Sequence, residues 1–191
     1  MKNIYIIHGW DGSPEEPLLQ WLKSNLEKVG NQVVVPAMPD PGTPTIASWV
    51  GKLQEVIKPN TETILVGHSV GCQAVLRYLE TLPAEVKIAG VVLIAPWMEL
   101  DQQTIVEEGE AVIAIAKPWM ETPINFVKIK SHIGKAIAIF SDDDPYVPLA
   151  QKELFARELE AEVVVENKQG HFSVGDGIAE LHSALEAVRG L

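Results

Sequence analysis

A G-H-S-V-G stretch at Gly67–Gly71 is the part of this sequence whose residue types and spacing most clearly suggest chemistry. It follows the apolar run Thr63–Val66 and precedes an apolar series with helical spacing. Between a strand and a helix, G-x-S-x-G is typical of a nucleophile elbow, whose glycines permit a sharp turn that exposes the serine hydroxyl at the top of a sheet. The alternative is a glycine-rich connection in which Ser69 only caps the following helix.

Two further groups downstream of the serine have the residue types that would activate it. A serine hydroxyl needs a histidine to take its proton and an acid to orient that histidine, and in this arrangement the acid precedes the histidine along the chain. The predicted strand Ala136–Phe140 leads into Asp142–Asp144, and the predicted strand Glu162–Val165 leads into His171. Both groups follow the carboxyl end of a strand, as Ser69 does, and ligands bind at that edge of an open α/β sheet.

The identity of the acid is left open by the residues alone, because the three aspartates of Asp142–Asp144 are consecutive. Asp144 is favoured because Pro145 follows it, and the residue before a proline is pushed towards an extended conformation at a turn. The other two aspartates are also explained by a solvated acidic turn. For His171 the alternative is an ordinary surface histidine, but Gly170 and the strand before it favour a catalytic role.

The oxyanion hole is predicted to consist of two backbone N–H groups. In this arrangement one N–H follows the nucleophile and the other comes from the loop after an early strand. The corresponding donors are Val70 and, in the loop that begins at Gly9, Trp10. His8 is expected to shape that loop. No proton-transfer role is assigned to the remaining histidines, which are His68 on the tight turn and His132 and His182 on expected helix or loop surface.

Composition narrows the range of partners. The chain has 191 residues, of which 47% are hydrophobic, and this length and composition suit one globular domain spanning residues 1–191. Its formal net charge is −11, and no run of Lys or Arg forms a basic patch. We therefore expect no binding to nucleic acid or to anionic membranes, and a mild discrimination against anionic substrates.

The single cysteine and the first strand bear on the expected compartment. Cys72 excludes an intramolecular disulfide and is expected to be a small buried side chain. A first strand beginning near Asn3 leaves no room for a secretory signal, and no apolar stretch is long enough to span a bilayer. A cytoplasmic location is the resulting expectation.

Apolar strands and amphipathic helices alternate along the chain, which predicts a parallel sheet covered by helices on both faces. The first helix is expected to begin at a capping box in Ser13–Glu16 and to stop at Gly30. With right-handed crossovers, the strands are predicted in the order 2-1-3-4-5-6. The predicted strands are Ile4–Ile7, Gln32–Val35, Thr63–Val66, Ile88–Ala95, Ala136–Phe140 and Glu162–Val165.

The long connection between the fourth and fifth strands is expected to form a cap-like insertion at about residues 97–134. Connections of this length are usually functional or partly helical. A helical cap packed on the core and a cover over the substrate both fit, and Ala111–Ala116 is expected in a cap helix. Three tryptophans are candidates for the wall of a substrate pocket, namely Trp10, Trp97 and Trp119.

With these residues in place, the chain resembles the small serine hydrolases related to retinoblastoma-binding protein nine, a compact branch of the α/β-hydrolase superfamily. The resemblance runs nearly from end to end, through His8–Trp10, Gly67–Gly71, Pro96–Trp97, Asp143–Pro148 and Gly170–Phe172. It implies an α/β-hydrolase fold, a three-layer α/β/α sandwich with a minimal cap. In the family pattern the aspartate directly before proline is the triad acid, and the pattern thus implies a triad of Ser69, Asp144 and His171.

The resemblance also implies hydrolysis of a small ester-like substrate through an acyl-enzyme, without metal or organic cofactor. A thioesterase or an amidase would use the same triad, and a non-catalytic binding or scaffold protein is the alternative from another class. The family name suggests pocket-protein binding through L-x-C-x-E, but Val70 and Ala74 stand where this motif around Cys72 needs Leu and Glu. The sequence leaves monomer and homodimer equally open.

Overall fold

A six-stranded parallel sheet forms the centre of the computed structural model, which describes all residues 1–191. The strand order is β2-β1-β3-β4-β5-β6, which confirms the predicted order. The strands are β1 (Asn3–Ile7), β2 (Gln32–Val34), β3 (Thr63–His68), β4 (Ile88–Ile94), β5 (Ile133–Ser141) and β6 (Glu162–Glu166).

The chain has eight helices, and six of them form the layers on the two faces of this sheet. Helices α1 and α8 pack together on one face, whereas α3 lies on the other face between α2 and α6, with α7 beyond α6. The chain therefore forms the three-layer sandwich predicted from the alternation of strands and helices. The helices are α1 (Pro17–Glu27), α2 (Ile46–Val56), α3 (Val70–Thr81), α4 (Gln102–Glu108), α5 (Glu110–Glu121), α6 (Phe126–His132), α7 (Gln151–Glu158) and α8 (His182–Arg189). None of them combines the length and the apolar character needed to cross a membrane.

The register of the central strands brings their carboxyl ends to one edge. Ile7 of β1 pairs with Gly67 of β3, and His68 pairs with Ile94 of β4. All six residues of β3 are buried, because helices cover both faces of the sheet at this point. The first strand has β2 on one side and β3 on the other, so a crevice between β1 and β3 opens where the chain direction reverses.

The first helix starts later than the capping-box pattern predicted. It begins at Pro17, and the residues of Ser13–Glu16 form a turn instead. The physical reason is the proline, because the residue before it is disfavoured in the helical region, and Glu16 indeed adopts ψ 133°. Part of the predicted capping geometry remains, since the Glu16 carboxylate accepts a hydrogen bond from the backbone N–H of Ser13 at 2.9 Å.

The insertion after β4 contains three helices. Helix α5 includes the predicted segment Ala111–Ala116, and α6 packs between α3 and α7. His132 at the end of α6 was expected at the surface, and this expectation was wrong. Its ring is fully buried and its Nδ1 donates to the backbone carbonyl of Val86 at 2.8 Å, because α6 packs against α3, α7 and β5.

Arg77 connects the helix behind the elbow to this insertion. Its guanidinium is buried and donates hydrogen bonds to the backbone carbonyls of Trp119 at 2.9 Å and Thr122 at 2.8 Å. It also donates to the Gln73 side-chain oxygen at 3.1 Å and lies over the ring of Trp119. The carboxyl end of α5 is thereby fixed to α3, which begins immediately after Ser69.

We expect Arg77→Met to lower the free energy of unfolding by about 3 kcal/mol, because buried carbonyls would lose their donors. Chemical denaturation measures this change. Arg157→Met is the control, since Arg157 is an exposed partner of Glu158 and its loss should change the stability by less than about 0.5 kcal/mol. Equal effects of the two substitutions would contradict the anchoring role of Arg77.

Candidate active site

The turn between β3 and α3 holds Ser69 in a strained backbone conformation. Its φ is 53° and its ψ is −123°, a region that non-glycine residues rarely adopt. The flanking glycines are required for close approach rather than for positive φ. A Cβ at Gly67 would lie 2.7 Å from the backbone N of Cys72, and one at Gly71 would lie 2.5 Å from the carbonyl oxygen of His8.

The structure brings Ser69, His171 and Asp144 into one hydrogen-bonded chain. Ser69 Oγ lies 2.8 Å from His171 Nε2, and His171 Nδ1 lies 2.8 Å from Asp144 Oδ2. The carboxylate can only accept, so Nδ1 carries the proton and Nε2 is free to accept from the serine hydroxyl. The other oxygen of Asp144 accepts from the backbone N–H groups of Tyr146 and Val147, and its side chain is only 2% exposed.

The two aspartates that precede Asp144 hold other parts of the loop that follows β6, residues 167–176, which we call the histidine loop. Asp142 Oδ1 accepts from the backbone N–H of Lys168 at 2.8 Å, and Asp143 Oδ1 accepts from that of Gly170 at 2.9 Å. Among the three consecutive aspartates, Asp144 is therefore the one that contacts the imidazole. The pKa of Asp143 is lowered, first by its hydrogen bond from the Ser141 hydroxyl and then by the bond from Gly170.

Asp176 fixes the histidine loop from its other side, and the sequence analysis missed it. Its Oδ2 accepts from the backbone N–H groups of His171 at 3.0 Å and Ser173 at 2.9 Å. The loop bends sharply, with φ 53° at Gly170 and φ 55° at the buried Phe172. The S-x-x-D spacing from Ser173 to Asp176 is a local turn signal that could have indicated this clamp.

The loop after β1 faces the serine across the crevice. His8 at its start is buried, donates from Nδ1 to the Gly9 carbonyl at 2.8 Å and accepts at Nε2 from the backbone N–H of Met38. Gly9, Trp10 and Ser69 all line the same cavity. Val70 is the first residue of α3, where backbone N–H groups have no partner within the helix. This arrangement is compatible with the two predicted oxyanion donors.

His68 links the elbow to the histidine loop. Its buried ring donates from Nε2 to the backbone carbonyl of His171 at 2.8 Å, a contact that no local sequence pattern indicates. Burial first, and then the neighbouring His171, lower the pKa of His68 to about 4. His68 is therefore neutral near pH 7 and supports the loop without exchanging protons.

The depressed pKa of His68 makes the stability depend on pH. Between pH 6.5 and pH 4 the unfolded chain binds a proton at His68 that the folded protein does not bind. Acidification across this range should therefore cost about 3 kcal/mol of stability through His68 alone.

We expect His68→Gln to show a shallower fall of the unfolding free energy between these pH values, measured by denaturation. His182→Gln, which changes an exposed histidine, should retain the parental slope; an unchanged slope in His68→Gln would refute the assignment.

A cavity of about 450 Å³ opens beside Ser69. Trp10 and Trp97 line it, together with Tyr146. Trp119 does not line it, and its prediction as a pocket residue was wrong: the ring is fully buried and its N–H donates to the carbonyl of Pro44 at 3.0 Å. The insertion contributes an apolar wall to the cavity, made of Leu100, Ile105 and Val112.

The charged residues that line this cavity are acidic. Asp11, Glu16 and Glu108 lie along it, and no Lys or Arg does. Burial raises the pKa of Glu16, partly offset by its hydrogen bond from Ser13. The pKa of Tyr146 is raised first by burial and then by Glu108, which accepts its hydroxyl hydrogen bond at 3.2 Å. A negative potential of this kind favours neutral and cationic ligands over anionic ones.

The strand order, the elbow and the position of the serine define an α/β-hydrolase fold with a serine at the nucleophile position. The chain belongs to the serine hydrolase family, whose model matches residues 4–189. This confirms the resemblance seen in the sequence motifs.

Individual relatives agree with this membership. The chain is similar to YdeN of Bacillus subtilis, with 29% identity over 183 residues, covering 94% of this chain and 90% of YdeN. It is also similar to the rat serine hydrolase RBBP9, with 26% identity over 185 residues, covering 96% of this chain and 87% of RBBP9.

Solved structures show the same fold. The crystal structure of the Bacillus subtilis ydeN product matches with a TM-score of 0.86 and 25% identity, over 100% of this chain and 98% of that one. A structure from a study of carboxylesterases of the thaumarchaeon Nitrososphaera gargenis matches with a TM-score of 0.73 and 17% identity, over 99% of this chain and 89% of that one. The second likeness is one of fold.

Proposed function

We propose that this member of the serine hydrolase family hydrolyses carboxylic esters of small molecules, with Ser69 as nucleophile, His171 as base and acid, and Asp144 as the orienting acid. The observation that carries the proposal is the continuous hydrogen-bonded chain from Ser69 Oγ through His171 to Asp144, with both distances at 2.8 Å, at the wall of a cavity. A scaffold role would give no physical reason for this alignment.

Acylation begins when Ser69 Oγ attacks the ester carbonyl carbon and its proton passes to His171 Nε2. The carbonyl oxygen becomes negatively charged and accepts hydrogen bonds from the backbone N–H groups of Trp10 and Val70. Asp144 stabilises the imidazolium that forms and keeps its ring in the productive orientation. The carbon–oxygen bond to the alcohol then breaks, and the leaving oxygen takes the proton from His171.

Deacylation repeats these steps with water as the nucleophile. His171 accepts a proton from water as the water oxygen bonds to the acyl carbon, and the bond to Ser69 Oγ breaks as that oxygen regains a proton. An ester is proposed rather than an amide because an alcohol oxygen leaves the tetrahedral intermediate more readily than an amide nitrogen does. The fold likeness to the Nitrososphaera gargenis structure from a study of carboxylesterases is compatible with this substrate class. The cytoplasmic location and the oligomeric state stay predictions.

Labelling with a fluorophosphonate probe tests the triad. The parent protein should be labelled, whereas Ser69→Ala and His171→Ala should not, and Ser69→Ala should lower ester turnover by roughly five or six orders of magnitude. Asp144→Asn should lower turnover by about 10³- to 10⁴-fold.

The adjacent aspartate provides the matched control. Asp142→Asn alters the same loop but leaves the contact to the imidazole intact, so turnover should stay within about threefold of the parent. Labelling that persists in Ser69→Ala, or equal losses in Asp142→Asn and Asp144→Asn, would contradict the assignment.

The limited apolar wall of the cavity predicts a preference for short acyl chains. We expect kcat/KM for p-nitrophenyl butyrate to exceed that for the palmitate ester by at least about tenfold, because the insertion offers only three apolar side chains along the cavity to contact an acyl chain. Val112→Ala should narrow this ratio, since Val112 lines the cavity, whereas Val106→Ala changes an exposed residue of the same insertion and should not. Faster turnover of palmitate by the parent would overturn the prediction.

A further inference from the structure

Trp97 is a buried tryptophan whose indole N–H is directed at the proposed nucleophile. The residue is only 1% exposed, and its Nε1 lies 3.4 Å from Ser69 Oγ. This hydroxyl is the only hydrogen-bond partner of that N–H. Trp97 also lines the cavity that opens beside Ser69.

The other fully buried tryptophans differ from Trp97 in their partners. Trp49 donates to the carbonyl of Pro39 at 2.8 Å, and Trp119 donates to the carbonyl of Pro44 at 3.0 Å. An indole N–H can only donate, and a buried one without a partner costs free energy. In those two residues a fixed carbonyl of the fold satisfies the donor, whereas in Trp97 the reacting hydroxyl does so.

Backbone hydrogen bonds fix the segment that precedes Trp97 beside the elbow. Ala95 has φ 48°, and its N–H donates to the carbonyl of Ile139 at 2.8 Å. One residue earlier, the carbonyl of Ile94 accepts from the N–H of Ser69 at 2.9 Å. Two strained residues, Ser69 directly after β3 and Ala95 directly after β4, thus help to set the direction of the hydroxyl and of the indole.

We propose that Trp97 is a further catalytic residue of the ester hydrolysis proposed above, and the inference rests on that function. Its N–H donates to a lone pair of Ser69 Oγ and stabilises the negative charge on this oxygen while its proton is on His171. At 3.4 Å the contact is long for a neutral pair. Such contacts shorten and strengthen when the acceptor becomes charged, so the donor stabilises the transition state more than the resting enzyme.

This charge arises on Oγ at two moments. In acylation the Oγ–H bond breaks towards His171 Nε2 while the bond from Oγ to the acyl carbon forms. In deacylation that bond breaks, and Oγ holds its electron pair until His171 returns a proton. The Trp97 N–H keeps its own proton throughout and serves only as a hydrogen-bond donor at both moments.

The test compares three substitutions that each remove one buried indole N–H, Trp97→Phe, Trp49→Phe and Trp119→Phe. We expect Trp97→Phe to lower kcat and the rate constant of fluorophosphonate labelling by about tenfold, with KM within about twofold because an aromatic ring still lines the cavity. Trp49→Phe and Trp119→Phe should lower the melting temperature but leave the labelling rate of the folded protein within about twofold of the parent.

The outcomes separate this inference from the function on which it rests. Labelling of Trp97→Phe at the parental rate, or an equal slowing in all three variants, would overturn the role of Trp97 while leaving the triad intact. A parent that is never labelled, or a Ser69→Ala variant that still hydrolyses esters, would overturn the proposed function and this inference together.

A second measurement does not depend on the folding of Trp97→Phe. In protein carrying ¹⁵N at the indole nitrogens, Ser69→Ala removes the acceptor of the Trp97 N–H and should shift that resonance in a ¹H–¹⁵N spectrum. The resonances of Trp49 and Trp119 should stay in place, because their acceptors are distant backbone carbonyls. A Trp97 resonance that does not move on this substitution would refute the hydrogen bond.

Discussion

The close packing of the first turn of α3 against the ends of β1 and β3 is the constraint on which the site depends. At Gly71 a single methyl group would meet the carbonyl oxygens of Ile7 and His8, and at Gly67 it would meet the backbone of Cys72. Only hydrogen atoms fit at these two positions, so the helix starts directly above the sheet edge. Ser69 must then adopt its positive φ, and that strain is offset by the packing of a fully buried strand and helix on either side.

The second constraint is the register between β5 and β6. Ser141 pairs with Glu166, so the loops that follow these strands leave the sheet side by side. Asp142 and Asp143 then accept hydrogen bonds from the backbone N–H groups of Lys168 and Gly170, and Asp144 accepts one from the His171 imidazole. Burying a carboxylate is costly unless its oxygens have donors, and Asp144 has three. The same bonds that satisfy this charge also determine where the imidazole lies.

The parts of this architecture that follow from local patterns could be predicted from the sequence. Apolar periodicity predicts the strands, and right-handed crossovers predict their order. The order of the motifs along the chain then places Ser69, the aspartates and His171 at one edge of the sheet. The errors concern packing between distant segments. The burial of His132 and the exclusion of Trp119 from the cavity depend on how the insertion meets α3, and no local spacing encodes this contact. The late start of the first helix is different, because Pro17 is a local signal.

The ring centroids of His68 and His171 lie 5.3 Å apart at this site. The two side chains have the same intrinsic chemistry, and burial gives them different roles. His68 is enclosed, so its charged form is disfavoured and it remains a neutral donor to the carbonyl of His171. His171 retains some exposure and has the Asp144 carboxylate on its far nitrogen, and the proposed mechanism assigns the transient positive charge to this ring. A charged His68 would repel the imidazolium that the proposed mechanism forms at His171. Enclosing His68 therefore suits the proposed proton transfer at Ser69 as well as the position of the loop.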